Sequence, residues 1–191
     1  MACSLLPRLL VQLRAEQPGI QIELDVSNAV SDLLRREADI AIRLVRPTQS
    51  SLVARRIGQI HVVACAHRHY LVRHGVPQQP PELLKHALVG NDRVQDIRRG
   101  FSAMGHPVDP EQFALRTDDL MAYWAAVRAG LGIGFVAAFM LRDDPDVTQV
   151  LPELPLPTVP VWLVVHREIR TSRRIRAALD FLARALPPLL E

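Results

Sequence analysis

The sequence predicts an α/β protein in which helices cover mostly parallel sheets. Apolar residues recur with the helical period in some segments and with the strand period of two in others, and the two kinds of segment alternate along the chain. A proline-rich segment, Pro145–Pro160, precedes a last strand and helix, which suggests that the chain leaves a first lobe and returns to it. Hydrophobic residues make up 49% and charged residues 23% of the 191 residues, as in folded globular proteins.

The start of the first lobe is predicted from a change of period near residue 20. Leucines spaced three and four apart predict an amphipathic helix over Leu5–Leu13, with Pro7 in its first turn and Pro18–Gly19 ending the pattern. Apolar and polar residues then alternate over Ile20–Val26, which predicts a strand with one apolar face.

A crossover unit follows. Ser27 and Asn28 are good N-cap residues for a helix over Val30–Arg36, and a strand over Asp39–Leu44 comes next. A strand, a helix and a strand in so short a segment form a right-handed unit, and repeated units of this kind build a parallel sheet.

The remaining elements continue the alternation. Two strands, the second apolar enough to be buried on both faces, come first, and Thr117 or Asp118 is predicted to cap the helix Asp119–Ala129. The prolines of Pro145–Pro160 predict an extended connector. The further predicted strands are Leu52–Ile57, Ile60–Ala66, Ala87–Val89, Phe113–Arg116, Ile133–Val136 and Val161–Val165. The further predicted helices are Glu82–His86, Val94–Met104, Asp119–Ala129 and Ser172–Leu186.

Composition excludes several classes of protein. The formal net charge is +3 and the arginines are spread along the chain, so charge alone does not indicate nucleic-acid binding. No apolar run reaches the roughly 18 residues of a membrane span, and the N-terminus shows no secretion signal, so we expect a cytoplasmic protein. Cys3 and Cys65 are expected to be reduced thiols, and the histidines lack metal-ligand spacing, so no metal or cofactor is expected.

Nothing in the sequence indicates catalysis. The run Gly130–Gly134 resembles a dinucleotide-binding fingerprint, but it follows a helix and opens a strand, so Gly130 is predicted to end the helix. The acidic pairs Asp118–Asp119 and Asp143–Asp144 are expected to cap a helix and to lie in a solvated loop, respectively. No phosphate-binding loop and no nucleophile elbow occur, so no catalytic residue is predicted.

Binding groups are predicted at two helix N-termini. Backbone N–H groups after Ser27–Asn28 and after Thr117–Asp118 can hold a carboxylate or another polar group. Arg43, near the end of its strand, adds a charge, and a salt bridge is an equal alternative for it.

Several segments resemble the effector-binding domain of LysR-type transcriptional regulators. The resemblance covers nearly the whole chain in the right order, so it is more specific than any one motif. The segments that carry it are Leu5–Leu10, Gln17–Ile20, Ile22–Leu24, Ala38–Arg43, Ser51–Gly58, Ala126–Gly134, Leu163–Arg167 and Arg170–Ser172. The resemblance implies the two-lobed type II periplasmic-binding-protein fold, with residues 1–60 and 160–191 in lobe one and residues 61–159 in lobe two.

The resemblance also implies that a small-molecule effector binds between the lobes of a regulator that controls transcription. Carried over position by position, the family's effector contacts are Ser4, Ser27, Asn28, Arg43, Asn91, Asp92, Thr117, Asp118 and Phe135. The family's dimer, in which the first helix of one subunit packs against the lobe-two helix of its partner, would use Leu6, Leu9, Leu10, Leu13, Leu120, Tyr123, Trp124 and Val127. A homodimer is therefore expected, and a tetramer for a full-length regulator.

The sequence departs from the family in two ways. The family's N-terminal winged helix-turn-helix has no counterpart here, so we expect DNA binding only through that missing part. The family's first lobe-one strand also has no counterpart ahead of Leu5, which leaves open whether the cleft is complete. Two other functions stay as alternatives: a stand-alone solute-binding protein, and an enzyme on the same scaffold.

Overall fold

The computed structural model describes residues 1–26, 38–92 and 96–190. The predicted helix Val30–Arg36 with its caps Ser27 and Asn28, and the predicted first residues of the helix Val94–Met104, lie outside these ranges. The described helices are α1 (Leu6–Glu16), α2 (Arg68–His74), α3 (Asp96–Ala103), α4 (Leu120–Arg128) and α5 (Arg173–Ala185). The described strands are β1 (Ile40–Arg43), β2 (Leu52–His67), β3 (Leu88–Gly90), β4 (Phe113–Arg116), β5 (Gly134–Ala137), β6 (Val147–Val150) and β7 (Thr158–His166).

The chain divides into two compact units. Unit 1 comprises residues 1–60 and 158–191, and unit 2 comprises residues 61–157. The predicted lobe boundaries lie within two residues of these. Strand β2 contributes its first part to unit 1 and its second part to unit 2.

In unit 1, helices pack on a sheet that contains β1, β7 and the first part of β2. Strand β1 pairs antiparallel with β7, with Arg43 opposite Trp162. Helix α1 contacts α5, and Arg184 forms an ion pair with Glu16 at 2.8 Å. The leucines at the predicted helical spacing are buried where they face this core, including Leu9, which is 2% exposed.

In unit 2, the second part of β2 lies between β5 and β6, and both pairings are antiparallel. Strands β3 and β4 pair in parallel, and a parallel bridge joins Leu88 to Ile133, just before β5. Two apolar clusters fill this unit, one around Phe101 and Leu88, the other around Val127 and Cys65.

The α/β class is confirmed, but the prediction of mostly parallel sheets is wrong. The two strands predicted over Leu52–Ile57 and Ile60–Ala66 are one continuous strand, and its partners β5 and β6 run antiparallel to it. The prediction assumed that strands joined by a helical crossover pair with each other in parallel. Strand β1 instead pairs with β7, which runs antiparallel to it. Gly58 lies within β2, where a Cβ would approach the Leu190 side chain to 2.7 Å, so this close packing favours glycine.

Two further strand predictions are corrected. Residues 20–26 form no strand, since they have no ladder partner in the described chain. Ile22, Leu24 and Val26 of the alternation are consequently exposed, Leu24 to 45% and Val26 to 56%. The segment Pro145–Pro160 is not only a connector: strand β6 fits between Pro145 and Pro152, where no proline interrupts the ladder to β2.

Other predicted elements are present with ends shifted by a few residues, as expected at helix and strand termini. The helix predicted over Glu82–His86 is a 3₁₀ helix over Pro80–Lys85. Gly130 ends α4 as predicted: its φ is +76°, its N–H donates to Val127 O at 3.0 Å, and the N–H of Leu131 donates to Ala126 O at 3.1 Å. These two bonds form a Schellman motif, which requires a residue with positive φ and so favours glycine.

Candidate functional site

Two loops meet where the parallel strands β3 and β4 end in unit 2. The N–H of Thr117 donates to the carbonyl oxygen of Gly90 at 3.0 Å, and the N–H of Asp92 donates to Asp118 Oδ1 at 3.0 Å. Gly90 permits this packing, because a Cβ there would lie 2.4 Å from the ring of Phe113. The loops 90–92 and 117–119 therefore form one hydrogen-bonded polar surface, which we call the loop pair.

The helix cap expected from the acidic pair Asp118–Asp119 is present, but it is not at Thr117 or Asp118. Asp119 is the N-cap, and its Oδ1 accepts hydrogen bonds from the N–H groups of Met121 at 2.8 Å and Ala122 at 2.9 Å. Thr117 Oγ1 instead accepts from the N–H of Asp119 at 3.1 Å. The hydroxyl proton of Thr117 is not used in that bond, so it is available to donate.

Tyr123 fixes the strand behind the loop pair. Its hydroxyl donates to the carbonyl oxygen of Val89 at 3.0 Å and accepts from the N–H of Phe135 at 2.7 Å. The residue is 4% exposed, and burial raises the pKa of the Tyr123 hydroxyl well above its ordinary value, chiefly by desolvation. This role of Tyr123 was not predicted, although a tyrosine on the core face of a helix indicates that its hydroxyl needs a buried partner.

Phe135 is held by its backbone and its ring. Tyr123 binds its N–H, and its ring packs edge-on against Phe101 with 5.8 Å between centroids. Its side chain is half-buried and joins the apolar cluster around Phe101. Phe135 therefore lies on β5, the strand that the Tyr123 hydroxyl links to β3 by hydrogen bonds.

The charge around the loop pair is acidic. Asp92 lies 3.5 Å from Arg116, and both side chains are about half exposed, so the pair adds little stability. Among the described residues of the two loops, Asp118 and Asp119 add two further carboxylates. The half-buried Asn91 side chain has no hydrogen-bond partner within residues 1–26, 38–92 and 96–190, so its amide is available to a ligand.

The predicted effector contacts of unit 1 are Ser4, Ser27, Asn28 and Arg43. Arg43 ends β1 opposite Trp162. Ser4 lies just before α1, and its hydroxyl oxygen is buried without a partner among the described residues. Ser27 and Asn28 lie outside the described residues. Asn91, Asp92, Thr117 and Asp118 are therefore the predicted contacts that the structure brings together, with Phe135 linked to them through Tyr123.

The second acidic pair differs from its prediction. Asp144 is 9% exposed and forms an ion pair with Arg128 at the end of α4, so it does not lie in a solvated loop. A carboxylate so buried needs a partner, which the arginine supplies. This pair fixes the end of α4 to the 3₁₀ helix over Ala138–Asp143.

The histidines of unit 2 pack with one tyrosine. Tyr70 stacks on His74 at 4.3 Å between centroids, and its hydroxyl lies 3.2 Å from His86 Nδ1 and accepts from the N–H of Ala87 at 2.9 Å. Burial lowers the pKa of His86, and His74 lowers it further. No group of three or more metal-binding side chains occurs in the part of the chain that the structure describes.

Comparison with known proteins identifies the family. The sequence model of the LysR substrate binding domain matches residues 1–187. This chain belongs to that family. The regulatory domain of CrgA, a LysR-type transcriptional regulator from Neisseria meningitidis, superimposes with a TM-score of 0.82 at 26% identity, covering 96% of this chain and 92% of that one. The two-lobed periplasmic-binding-protein-like fold is thereby confirmed.

Curated relatives are regulators as well. An HTH-type transcriptional regulator of Xanthomonas campestris is 32% identical over 93% of this chain and 54% of its own length. The HTH-type transcriptional activator AaeR of Escherichia coli is 25% identical over 95% of this chain and 60% of its own length. This LysR-type chain thus spans between about half and two thirds of the length of these relatives. LysR-type proteins bind small-molecule effectors and act on DNA as oligomers.

The predicted dimer residues of this LysR-type domain differ in how far they are buried. Five of the eight are in the core of their own unit, with exposures from 0 to 7%, because they supply the apolar face that their helix packs inward. These five are Leu6, Leu9, Leu13, Tyr123 and Val127. Leu10 and Trp124 are half-buried, and Leu120 is 57% exposed. No helix in the described ranges is long and apolar enough to cross a membrane.

Proposed function

We propose that this LysR-type domain binds a small-molecule effector at the loop pair of unit 2 and transmits the binding to the DNA-binding part of a longer regulator. The observation that carries the proposal is the loop pair itself. Its two loops leave the carboxyl ends of parallel strands, where α/β proteins bind their ligands. Hydrogen bonds between the loops hold the surface in place before a ligand arrives, and such preorganisation favours binding.

The polar groups of the loop pair suggest which end of the effector binds there. Thr117 has a hydroxyl proton to donate, and Asn91 has an amide that can donate and accept. Among the described residues, Asp92, Asp118 and Asp119 lie at this surface with Arg116 beside Asp92, and these carboxylates favour ligand groups that donate hydrogen bonds. We therefore propose that the effector presents hydroxyl or amino groups to this surface.

The other predicted contacts stay proposals. Ser4, Ser27, Asn28 and Arg43 belong to unit 1, and Arg43 would supply a positive charge for another part of the effector. An enzymatic role is disfavoured, since the described site offers no activated nucleophile and no paired acid and base. A cytoplasmic location follows from the proposed role in transcription.

We further propose a homodimer that uses exposed apolar residues of α1 and α4. Leu120 and Met121 of α4 are 57% and 55% exposed, and Val11 of α1 is 72% exposed. Leu10 and Trp124 flank them on the same helices. On each helix, such exposed apolar residues favour a protein–protein contact.

The test of effector binding is a thermal-shift screen of the chain against sugars, polyols, amino acids and aromatic acids. A ligand at about 100 times its Kd adds roughly 2.7 kcal/mol of stability, which shows as a higher Tm. Asn91→Ala and Thr117→Val each remove one polar contact, and we expect each to weaken binding about 5- to 30-fold, the equivalent of roughly 1–2 kcal/mol.

The matched control is Thr148→Val, which removes an exposed hydroxyl of β6 in the same unit. It should leave the affinity unchanged. If Thr117→Val and Asn91→Ala bind the effector as tightly as the unaltered chain, the loop pair is not the site. Turnover of the bound compound, lost on changing one residue, would instead support an enzyme.

A further inference from the structure

Unit 1 contains a pocket that the effector proposal does not use. It lies between helix α5 and the strands β2 and β7, has a volume of about 320 Å³, and all of its lining residues belong to unit 1. That volume is at the lower end of the range of small-molecule sites, roughly 300–1,000 Å³. We call it the α5 pocket.

The floor of the α5 pocket is aliphatic. Leu163 and Val165 of β7 and Val53 of β2 line it from the sheet, and Leu179 and Ala183 line it from α5. Leu163 and Val165 are two residues apart on a strand, so they share one face of the sheet. A ligand that enters this pocket therefore meets hydrocarbon at its inner end.

The rim is cationic. Arg55, Arg170 and Arg176 line it, with Asp180 as the acid on the same rim. All four side chains are exposed. Within the described ranges, none of the three guanidinium groups forms a hydrogen bond or an ion pair with another residue.

The spacing of the helix residues explains why the charge and the floor occur together. Arg176, Leu179, Asp180 and Ala183 stand at positions i, i+3, i+4 and i+7, which form one face of a helix. On β2, Val53 and Arg55 likewise share one face of the strand. Strand β2 and helix α5 therefore each contribute both an arginine and an aliphatic side chain to the lining of the pocket.

From this arrangement we propose that the α5 pocket binds a small carboxylate with an aliphatic tail. Guanidinium groups bind carboxylates through paired hydrogen bonds, and three of them against one carboxylate leave a net charge of +2 on the rim. The tail covers the aliphatic floor, where burial of apolar surface adds to the attraction. A free inorganic anion would be held by charge attraction alone, and a neutral alcohol would be held only by burial of its aliphatic tail.

The experiment uses the whole chain labelled with ¹⁵N, and follows the arginine Nε–Hε signals by NMR at constant ionic strength. The probes are hexanoate, 1-hexanol and inorganic phosphate. We expect hexanoate to shift the signals of Arg55, Arg170 and Arg176 along a saturable curve. Phosphate should bind at least about 10-fold more weakly, and hexanol should leave the signals in place.

Variants separate a specific pocket from general attraction by a basic surface. The double variant Arg55→Gln with Arg176→Gln should weaken hexanoate binding at least about 10-fold. Arg174→Gln removes one charge from an exposed position of α5 outside the pocket lining and should change it less than 2-fold. Ala183→Phe fills the pocket without changing its charge and should abolish binding. Because the arginines are exposed, their variants keep the test valid even if Ala183→Phe unfolds.

Other outcomes overturn the proposal. Equal affinities for hexanoate and phosphate, a curve that does not saturate, or an equal loss in Arg174→Gln would each show general charge attraction. A folded Ala183→Phe variant that binds hexanoate normally would place the ligand elsewhere. Thr117→Val should retain hexanoate binding, so the α5 pocket and the effector proposal succeed or fail separately.

Discussion

Replacing Tyr123 with phenylalanine should destabilise unit 2 strongly for so small a change. The hydroxyl joins the carbonyl oxygen of Val89 to the N–H of Phe135, at 3.0 and 2.7 Å, in a position that is 4% exposed. Phenylalanine keeps the ring and leaves both backbone groups buried without this partner. An unsatisfied buried group costs roughly 1–3 kcal/mol, so we expect the free energy of unfolding to fall by about 3 kcal/mol.

The assay is urea unfolding of the unaltered chain and of Tyr123→Phe, followed by circular dichroism. The midpoint should move to lower urea while the slope stays constant, since the surface exposed on unfolding does not change. Thr148→Val is the control, because it removes an exposed hydroxyl from the same unit. A loss below about 0.5 kcal/mol in Tyr123→Phe, or one equal to that of the control, would refute the argument that these two bonds stabilise the buried strands.

Three further predictions concern pH, packing and assembly. Burial raises the pKa of the Cys65 thiol from 9.0 to about 12. The free energy of unfolding should therefore fall as the pH rises from 9 toward 12, by about 1.4 kcal/mol at pH 10. Cys65→Ala should lack this loss, whereas Cys3→Ala should keep it. Gly132→Ala should cost roughly 1–3 kcal/mol, because its Cβ would lie 2.3 Å from a backbone carbonyl oxygen, whereas Gly100→Ala in α3 meets no atom within 4 Å and should stabilise the helix. Leu120→Glu should shift the proposed dimer toward monomer in sedimentation velocity, and the monomer should keep the folded circular dichroism spectrum.

Each of these has a contradicting result. The pH argument is wrong if Cys65→Ala loses as much stability between pH 8 and pH 10 as the unaltered chain. The packing argument is wrong if Gly132→Ala has the same urea midpoint as Gly100→Ala. The control for assembly is Val72→Glu on α2, where the side chain is 83% exposed; equal dissociation in both variants would show a general effect of charge.

Much of the local structure could be predicted from the sequence. Helical spacing gave the core face of α1, and the positive φ that a Schellman motif needs made Gly130 a predictable helix end. The loop after β4 was predicted to carry site residues because a helix N-terminus that follows a strand presents free N–H groups, and the loop after β3 was predicted only from the family resemblance. The resemblance to LysR-type domains named Asn91 and Thr117 at these loops.

Other features depended on contacts that no local pattern specifies. The alternation over Ile20–Val26 satisfies the rule for a strand, yet a strand also needs a ladder partner, and none lies beside it in the described chain. Leu120, Tyr123 and Val127 share helix α4, and periodicity alone did not separate buried Tyr123 and Val127 from exposed Leu120. The pairing of Asp144 with Arg128 likewise joins residues 16 positions apart, beyond any helical spacing.

By itself, the sequence determined the order of elements, the α/β class and the family, because these depend on periodicities and motifs within short segments. The tertiary structure alone decided that β2 is one strand with antiparallel neighbours, and that Tyr123 ties β3 to the strand that holds Phe135. It also brought the arginines of β2 and α5 to the rim of one pocket. The physical reason is that hydrogen-bond partners and burial depend on which distant segments meet, and that is settled by packing of the whole chain.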